Sequence, residues 1–158
     1  MIFDTCFIID LLKGDNNAVS YLENLERTSK SKIITAITIH ELWRGLGILN
    51  IKEKEEIKEI LQTITVLPLD LESAKASGEI ERKLLGESIT IDPEDAMIAG
   101  IAIKNNQKLL TKNLKHFFRI KGLKISIIRI YYIFNLPKVL YLLMSVNIQR
   151  VGRVNWIL

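Results

Sequence analysis

Short apolar runs alternate with amphipathic segments over most of the chain. The apolar or β-branched runs that predict strands lie at residues 1–3, 32–37, 65–67, 108–111 and 124–130. The segments between them carry apolar residues at helical spacing, as Val19, Leu22 and Leu25 do. Strands that alternate with helices predict an α/β fold, a three-layer α/β/α sandwich around a mainly parallel sheet with right-handed crossovers.

Capping residues mark where the predicted helices begin. Thr38 stands three residues before Glu41, which is the spacing of a capping box, so we expect a helix to open at Thr38. Asp70 is expected to cap the helix that follows the third strand. Asp92 is interpreted as the structural cap of the most apolar helix, because Pro93 is favoured at the next position.

Acidic and basic side chains are unevenly distributed. The first 95 residues carry all 18 acidic side chains and 11 of the 22 basic ones, a net charge of −7. The rest of the chain has no acidic residue and 11 basic ones, so its charge of +11 brings the total to +4. This division favours a polyanionic partner such as nucleic acid. The alternative is that the lysines only solubilise a surface.

The cellular compartment can be inferred from the cysteine content and the first residues. A single cysteine, Cys6, cannot form an intrachain disulfide, indicates a reducing cytoplasm, and is expected to be a small buried core residue. The first ten residues carry two acids and no basic leader, so we expect no signal peptide. The apolar stretch at 131–146 is interrupted by Asn135, Pro137 and Lys138 and is too short to span a membrane.

Polar residues follow the predicted strands at the edge where open parallel sheets bind ligands. Four such residues are Asp4 after the first strand, Glu41 in the helix after the second, Asp95 in the first turn of the most apolar helix and Asn113 after the fourth strand. Carboxylates that crowd together repel, so they take up protons or bind a cation, and hard oxygen ligands suit Mg²⁺ or Mn²⁺. Such an ion lowers the pKa of a water molecule and neutralises charge on a phosphate oxygen, and phosphodiester hydrolysis needs both.

Each of these residues also has a purely structural interpretation. Asp4 can cap the helix that follows it, and Glu41 can complete the capping box of Thr38. Asn113 is of a type common in turns. The helix start that favours an acidic Asp95 would also help to keep its side chain ionised beside a metal.

Several other chemistries are excluded. The chain has no phosphate-binding glycine motif, no G-x-S-x-G sequence, and no cationic surroundings near its cysteine that would mark a nucleophile. His40 and His116 lack a second histidine or a cysteine pair at ligand spacing, so no zinc site is expected. We expect His116 to make a local hydrogen bond or to face RNA, and His40 to lie beside the site; neither is assigned to it.

Four segments, in this order, resemble the motifs of the PIN domain family, and especially its small VapC-like ribonuclease toxins. IFDTCFIIDLL resembles the first strand with its acid at Asp4, and TIHELWRG resembles the second motif at Glu41. EDAMIAGIAI resembles the third motif at Asp95. LLTKNLKHFFRIKGLKI resembles the segment that closes the site, with Asn113 where the family has Asp or Asn. Cys6 departs from the family, which often has a hydroxyl or amide there, near the metal-bound waters.

The resemblance divides the chain into a PIN-like nuclease domain at 1–126 and an atypical apolar and basic C-terminal extension at 127–158. The aromatic residues of this extension could supply a dimer surface, stack on RNA bases or pack on the core. We expect truncation after Ile130 to alter solubility or oligomeric state more than chemistry at the site.

The resemblance also implies a function. The chain would be a Mg²⁺- or Mn²⁺-dependent endoribonuclease in which Asp4, Asp95 and Glu41 hold the metal and Asn113 assists. It would act on RNA in the cytoplasm, away from membranes, as the homodimeric toxin of a type II toxin–antitoxin pair with a VapB-like antitoxin as partner. Two alternatives stay open: a housekeeping RNA-processing PIN nuclease, and a catalytically silent RNA-binding module whose acids only cap helices.

Overall fold

The computed structural model describes residues 1–27, 31–45 and 51–127. In these ranges the chain forms five strands and seven helices. They are β1 (Ile2–Phe3), α1 (Thr5–Leu12), α2 (Asn16–Arg27), β2 (Ile33–Thr35), α3 (Ala36–Gly45), α4 (Ile51–Thr63), β3 (Thr65–Leu67), α5 (Leu71–Gly86), α6 (Pro93–Lys104), β4 (Lys108–Leu110), α7 (Leu114–Phe117) and β5 (Lys124–Ser126). The predicted extension lies outside the described residues except for Ile127, as does the end of the fifth predicted strand.

All five described strands are parallel and are ordered β3-β2-β1-β4-β5. The chain therefore starts at the centre of the sheet, builds outward to β3, and returns to the other side of β1 with β4. The order reverses between β1 and β4, where Ile2 pairs with Leu109. In open parallel sheets a crevice forms at the carboxyl ends of the two strands that flank such a reversal.

The two faces of the sheet bury different sets of side chains, because successive strand residues point in opposite directions. Ile2, Ile33 and Leu109 belong to one buried cluster, together with residues of α5 and α6. Phe3, Ile34 and Leu110, one position further along each strand, belong to the other cluster with residues of α1 and α3. Helices therefore cover both faces, and the predicted three-layer α/β/α sandwich is confirmed.

The packing of α5 against α6 depends on Gly100. A Cβ atom at this position would lie 2.3 Å from the Ser77 hydroxyl oxygen and 2.7 Å from the Ser73 carbonyl oxygen. Glycine thus allows the two helices to approach closely, and this contact fixes the position of α6 over the sheet. The first turn of α6 reaches the crevice between β1 and β4 and carries Asp95.

The start of α3 differs from the predicted one. The helix begins at Ala36, and the backbone N–H of Thr38 donates to Oγ1 of Thr35 at 3.0 Å. Thr35 therefore caps the helix, and Thr38 is a buried residue within its first turn. The predicted capping box is wrong, which removes the structural interpretation of Glu41.

Asp92 occupies the N-cap position of α6 and Pro93 follows it, as expected, but the Asp92 side chain makes no capping hydrogen bond. Its carboxylate is mostly exposed and lies on the side of His116. Among the described residues, no helix combines the length and apolar character needed to cross a membrane.

Candidate active site

Asp4 lies directly after β1 and is only 5% exposed. Its Oδ1 accepts a hydrogen bond from the backbone N–H of Thr5 at 2.8 Å, so the residue does cap α1. Its Oδ2 accepts from the Thr111 hydroxyl at 2.6 Å and from the Cys6 thiol at 3.2 Å. These three donors fix the direction of the carboxylate within the crevice.

Thr111 is the counterpart of Asp4 on the neighbouring strand. It directly follows β4, is 1% exposed, and accepts a hydrogen bond at Oγ1 from the backbone N–H of Asn113 at 2.9 Å. One hydroxyl group thus positions Asp4 and shapes the turn that leads into α7.

Cys6 differs from its predicted place in the core. The side chain is only partly buried, and besides its bond to Asp4 its sulfur accepts from the backbone N–H of Lys112 at 3.4 Å. Burial, with the negative charge of Asp4, raises the pKa of the Cys6 thiol to about 11. The neutral thiol is therefore a donor to the carboxylate rather than a nucleophile.

Glu41 faces the same crevice from α3. The hydroxyl of Thr5 donates a short hydrogen bond to Oε2 of Glu41, which ties α3 to the start of α1. Burial raises the pKa of Glu41; the Thr5 bond opposes this rise, and the charges of Asp4 and Asp95 add to it. Three carboxylates are thus close enough to repel one another.

Asp95 extends into the crevice from α6 and is 9% exposed. Its Oδ2 accepts a hydrogen bond from the Asn113 side-chain amide at 3.3 Å and lies 2.6 Å from Nδ1 of His116. Burial raises the pKa of Asp95, the bond to His116 opposes the rise, and the charge of Asp4 adds to it. Asn113 stands at the N-cap of α7, but its side chain makes no cap bond and is turned to Asp95 instead.

The structure brings the four predicted residues, Asp4, Glu41, Asp95 and Asn113, to one edge of the sheet. It also adds residues that the sequence patterns do not assign to the site: Thr5, Asp92, Thr111 and His116. Cys6 lies beside Asp4, where the resemblance places it near the metal. The expected local hydrogen bond of His116 is present. Thr111 had a usable signal, since it directly follows a buried strand just as Asp4 does.

The outer rim of the crevice is held by charged side chains. Arg44 on α3 donates to Glu94 on α6 at 3.0 Å, which joins the helices that carry Glu41 and Asp95. His40 is exposed on α3, and its charge is among the smaller influences that lower the pKa of Glu94. The rim thus connects the two helices without adding a ligand to the crevice.

Comparison with known proteins identifies the fold. The model of the family described as "PIN domain" matches residues 1–123. The chain belongs to the PIN domain family. This PIN domain is 30% identical over 130 residues to a protein named ribonuclease VapC1 from Rickettsia felis, covering 79% of this chain and 93% of that one.

Two further relatives indicate the same family. The tRNA(fMet)-specific endonuclease VapC of Shigella flexneri is 28% identical over 123 residues, which cover 77% of the PIN domain chain and 92% of that protein. The crystal structure of DNA-bound VapBC from Salmonella typhimurium superposes with a TM-score of 0.70 at 25% identity, covering 81% of this chain and 97% of the compared chain. The chain is thus a PIN domain of the VapC type. VapC proteins are the ribonuclease toxins of VapBC toxin–antitoxin systems.

Proposed function

We propose that residues 1–126 form an endoribonuclease that hydrolyses RNA phosphodiester bonds with Mg²⁺ or Mn²⁺ held by Asp4, Glu41 and Asp95. The observation that supports this most directly is the meeting of three carboxylates at the β1–β4 crevice, where burial and mutual repulsion raise the pKa of Glu41 and of Asp95. We treat residues 127–158 as an extension to this domain.

The donor atoms fit a hard divalent cation. They are carboxylate oxygens, the ligands that Mg²⁺ and Mn²⁺ prefer, and they carry more negative charge than a buried crevice tolerates without a counterion. When bound, such an ion lowers the pKa of a water molecule and neutralises charge on a phosphate oxygen. The repulsion between Asp4, Glu41 and Asp95 is offset at the same time.

The chain's own residues supply the rest of the reaction. Asp4 is immobilised by its three donors, and Asp95 is oriented by the Asn113 amide. Glu41, which faces the crevice from α3, takes the proton of a water molecule that attacks the phosphorus in line. A bond forms between the water oxygen and phosphorus, the bond to the leaving ribose oxygen breaks, this oxygen takes up a proton from solvent, and Glu41 later releases its own proton to solvent.

Basic side chains around α7 can bind the phosphates of the substrate. Lys115 and Arg119 are exposed, and in the described parts of the chain neither has an ion-pair partner. The same segment carries Asn113, so phosphates held here would lie beside the carboxylates. We propose RNA as the substrate, as the names of the relatives suggest.

The related Salmonella structure is a VapBC complex, which supports a VapB-like antitoxin as the partner. We further propose that the toxin is a homodimer and acts in the cytoplasm. Purification of the chain from cells that also express its genomic neighbour would show whether a small protein binds it tightly.

The activity can be tested with fluorescent mixed-sequence RNA and total tRNA in Mg²⁺, in Mn²⁺ and in EDTA. We expect metal-dependent cleavage that falls at least about 100-fold in Asp4→Asn and in Asp95→Asn, the scale of losing a group that stabilises transition-state charge. Glu94→Gln is the matched control, because Glu94 is the neighbour of Asp95 on the same helix but is partly buried at the rim against Arg44, and the variant should keep its activity. Equal cleavage by wild type and Asp95→Asn, or no cleavage of either RNA by wild type, contradicts the proposal.

A further inference from the structure

On one flank of the crevice, Asp92, Asp95 and His116 form a mixed oxygen and nitrogen cluster. Nδ1 of His116 lies 2.6 Å from Oδ2 of Asp95 and 3.9 Å from Oδ2 of Asp92. One potential ligand atom of each residue lies within 4.8 Å of those of the other two. The ligand atoms of one octahedral ion are separated by about 3–4 Å when the bonds are about 2.0–2.1 Å long. The distance from His116 to Asp92 lies in this range, and the 2.6 Å hydrogen-bond distance from His116 to Asp95 would have to widen by a few tenths of an ångström to admit an ion.

The local structure explains why these three side chains meet. Asp92 and Asp95 are three residues apart at the start of α6, so they lie on the same side of its first turn. Asp92 occupies the cap position yet makes no capping bond, which leaves its exposed carboxylate turned toward α7. The two negative charges exceed the positive end of the α6 dipole, about half a charge.

The nitrogen ligand determines which ions fit. Imidazole nitrogen suits transition-metal dications, best Ni²⁺ and Zn²⁺ and more weakly Mn²⁺, whereas Mg²⁺ prefers oxygen ligands and retains its water. Without an ion, His116 and Asp95 share a hydrogen bond through Nδ1; a bound ion would take the place of the proton of that bond and leave the ring proton on Nε2. We propose that His116, with Asp92 and Asp95, is a metal ligand that makes this site selective for a transition-metal dication, Mn²⁺ among them, over Mg²⁺.

This inference rests on the proposed function in one respect, that Asp95 holds the catalytic ion. The competing role for His116 is that of a positioning residue, which orients Asp95 by a hydrogen bond and never contacts the ion. The two roles differ in whether a histidine nitrogen is bonded to the metal, and that property is measured without any RNA.

The test is pulsed electron paramagnetic resonance of Mn²⁺ bound to tag-free protein. The chain has only two histidines, so the imidazole ¹⁴N modulation has two possible sources. We expect the modulation in wild type and in His40→Gln, the matched control, and its loss in His116→Gln. Circular dichroism of each variant checks that the fold is retained.

Competition titrations supply the second measurement. The preference for Mn²⁺ over Mg²⁺ should fall at least about 10-fold in His116→Gln, the lower end for loss of a group that supports a metal ligand. In His116→Glu the site has oxygen ligands only and should shift toward Mg²⁺. Asp92→Asn should weaken the binding of Mn²⁺ in the same assay while the nitrogen modulation persists at saturation.

Absence of imidazole modulation in wild type, or an unchanged ion preference in His116→Gln, overturns the inference and leaves His116 as a positioning residue. Metal-dependent RNA cleavage without nitrogen modulation would overturn this inference alone. Nitrogen modulation in a protein that cleaves no RNA would contradict the proposed function and leave the metal site standing.

Discussion

The hydroxyl of Thr111 donates a hydrogen bond to Oδ2 of Asp4 at 2.6 Å, and this bond joins the carboxyl ends of β1 and β4. It crosses the point where the strand order reverses, so it spans the crevice in which the other carboxylates meet. The position of Asp4 is therefore set by the neighbouring strand as well as by its own.

Replacement of Thr111 by Val should lower the free energy of unfolding by about 1.5–3 kcal/mol, because the Asp4 carboxylate loses a buried donor while the side chain keeps its shape. Urea denaturation measures this change. Thr111→Ser, which retains the hydroxyl, should preserve the bond to Asp4 and the affinity for Mn²⁺. Equal stability of the Val variant and wild type would show that the bond contributes nothing net.

Removal of charge from the crevice should stabilise the protein in EDTA. Burial raises the pKa of Asp95 above its ordinary value of 3.8 and that of Glu41 above 4.5. The stabilisation of the fold by a protonated group of this kind is complete below the ordinary value and is lost as the pH rises through the raised one. At pH 7 we therefore expect Asp95→Asn and Glu41→Gln to melt at higher temperature, by about 2–4 °C for each kcal/mol gained.

For Glu94→Gln, the control variant, we expect the opposite dependence of stability on pH. The hydrogen bond from the residue's own backbone N–H at the start of α6, together with Arg44, lowers the pKa of Glu94. Its stabilising contribution is present above the ordinary value of 4.5 and is lost as the pH falls through the lowered one. Melting curves from pH 3 to 8 should show the Asp95→Asn advantage disappearing near pH 4. The opposite slope for that variant would refute the electrostatic explanation.

Gly100→Ala should destabilise the protein by about 1–3 kcal/mol, the usual cost of adding a methyl group to a filled contact. The new Cβ would meet Ser77 and the backbone of Ser73 at less than van der Waals distance. Gly78→Ala is the matched control, because Gly78 is an exposed position in α5 with nothing within 4 Å of an added Cβ. It should gain about 0.5–1 kcal/mol from helix propensity. Unfolding by guanidinium distinguishes the two variants.

The salt dependence of RNA binding should show whether the basic side chains beside the crevice contact phosphates. In an Asp95→Asn background, Lys115→Ala and Arg119→Ala should each flatten the plot of log affinity against log salt by about 0.7, the value for one phosphate contact on a single strand. Lys108→Ala is the control, since Lys108 begins β4 and lies at the opposite edge of the sheet. A slope that changes equally in all three variants would indicate nonspecific attraction only.

Much of the fold could be predicted because strand order and layering follow from patterns that each segment carries in itself. The error at the start of α3 has a local cause. Ile37 and Thr38 are β-branched and resemble a continued strand, but β2 ends at Thr35, whose hydroxyl accepts a hydrogen bond from the N–H of Thr38 in the first turn of the helix. Thr35 and Thr38 are both of a type that caps helices. Because β2 extends as far as Thr35, the cap falls on Thr35.

The acids of the site could be predicted because each follows a strand or opens a helix. Thr5 could not be assigned to the site, since its role depends on a contact with Glu41 on another helix. The sequence offers no signal for His116, because it has no second histidine at short spacing. Its partners are carboxylates on α6, which only the packing of α7 against that helix brings close.

The bond between Thr111 and Asp4 joins residues 107 positions apart. A protein is synthesised from its amino end, so β1 leaves the ribosome long before β4 exists to pair with it. A growing chain of this topology has no completed crevice until β4 has emerged. The carboxylates therefore come together only when the sheet closes, late in synthesis.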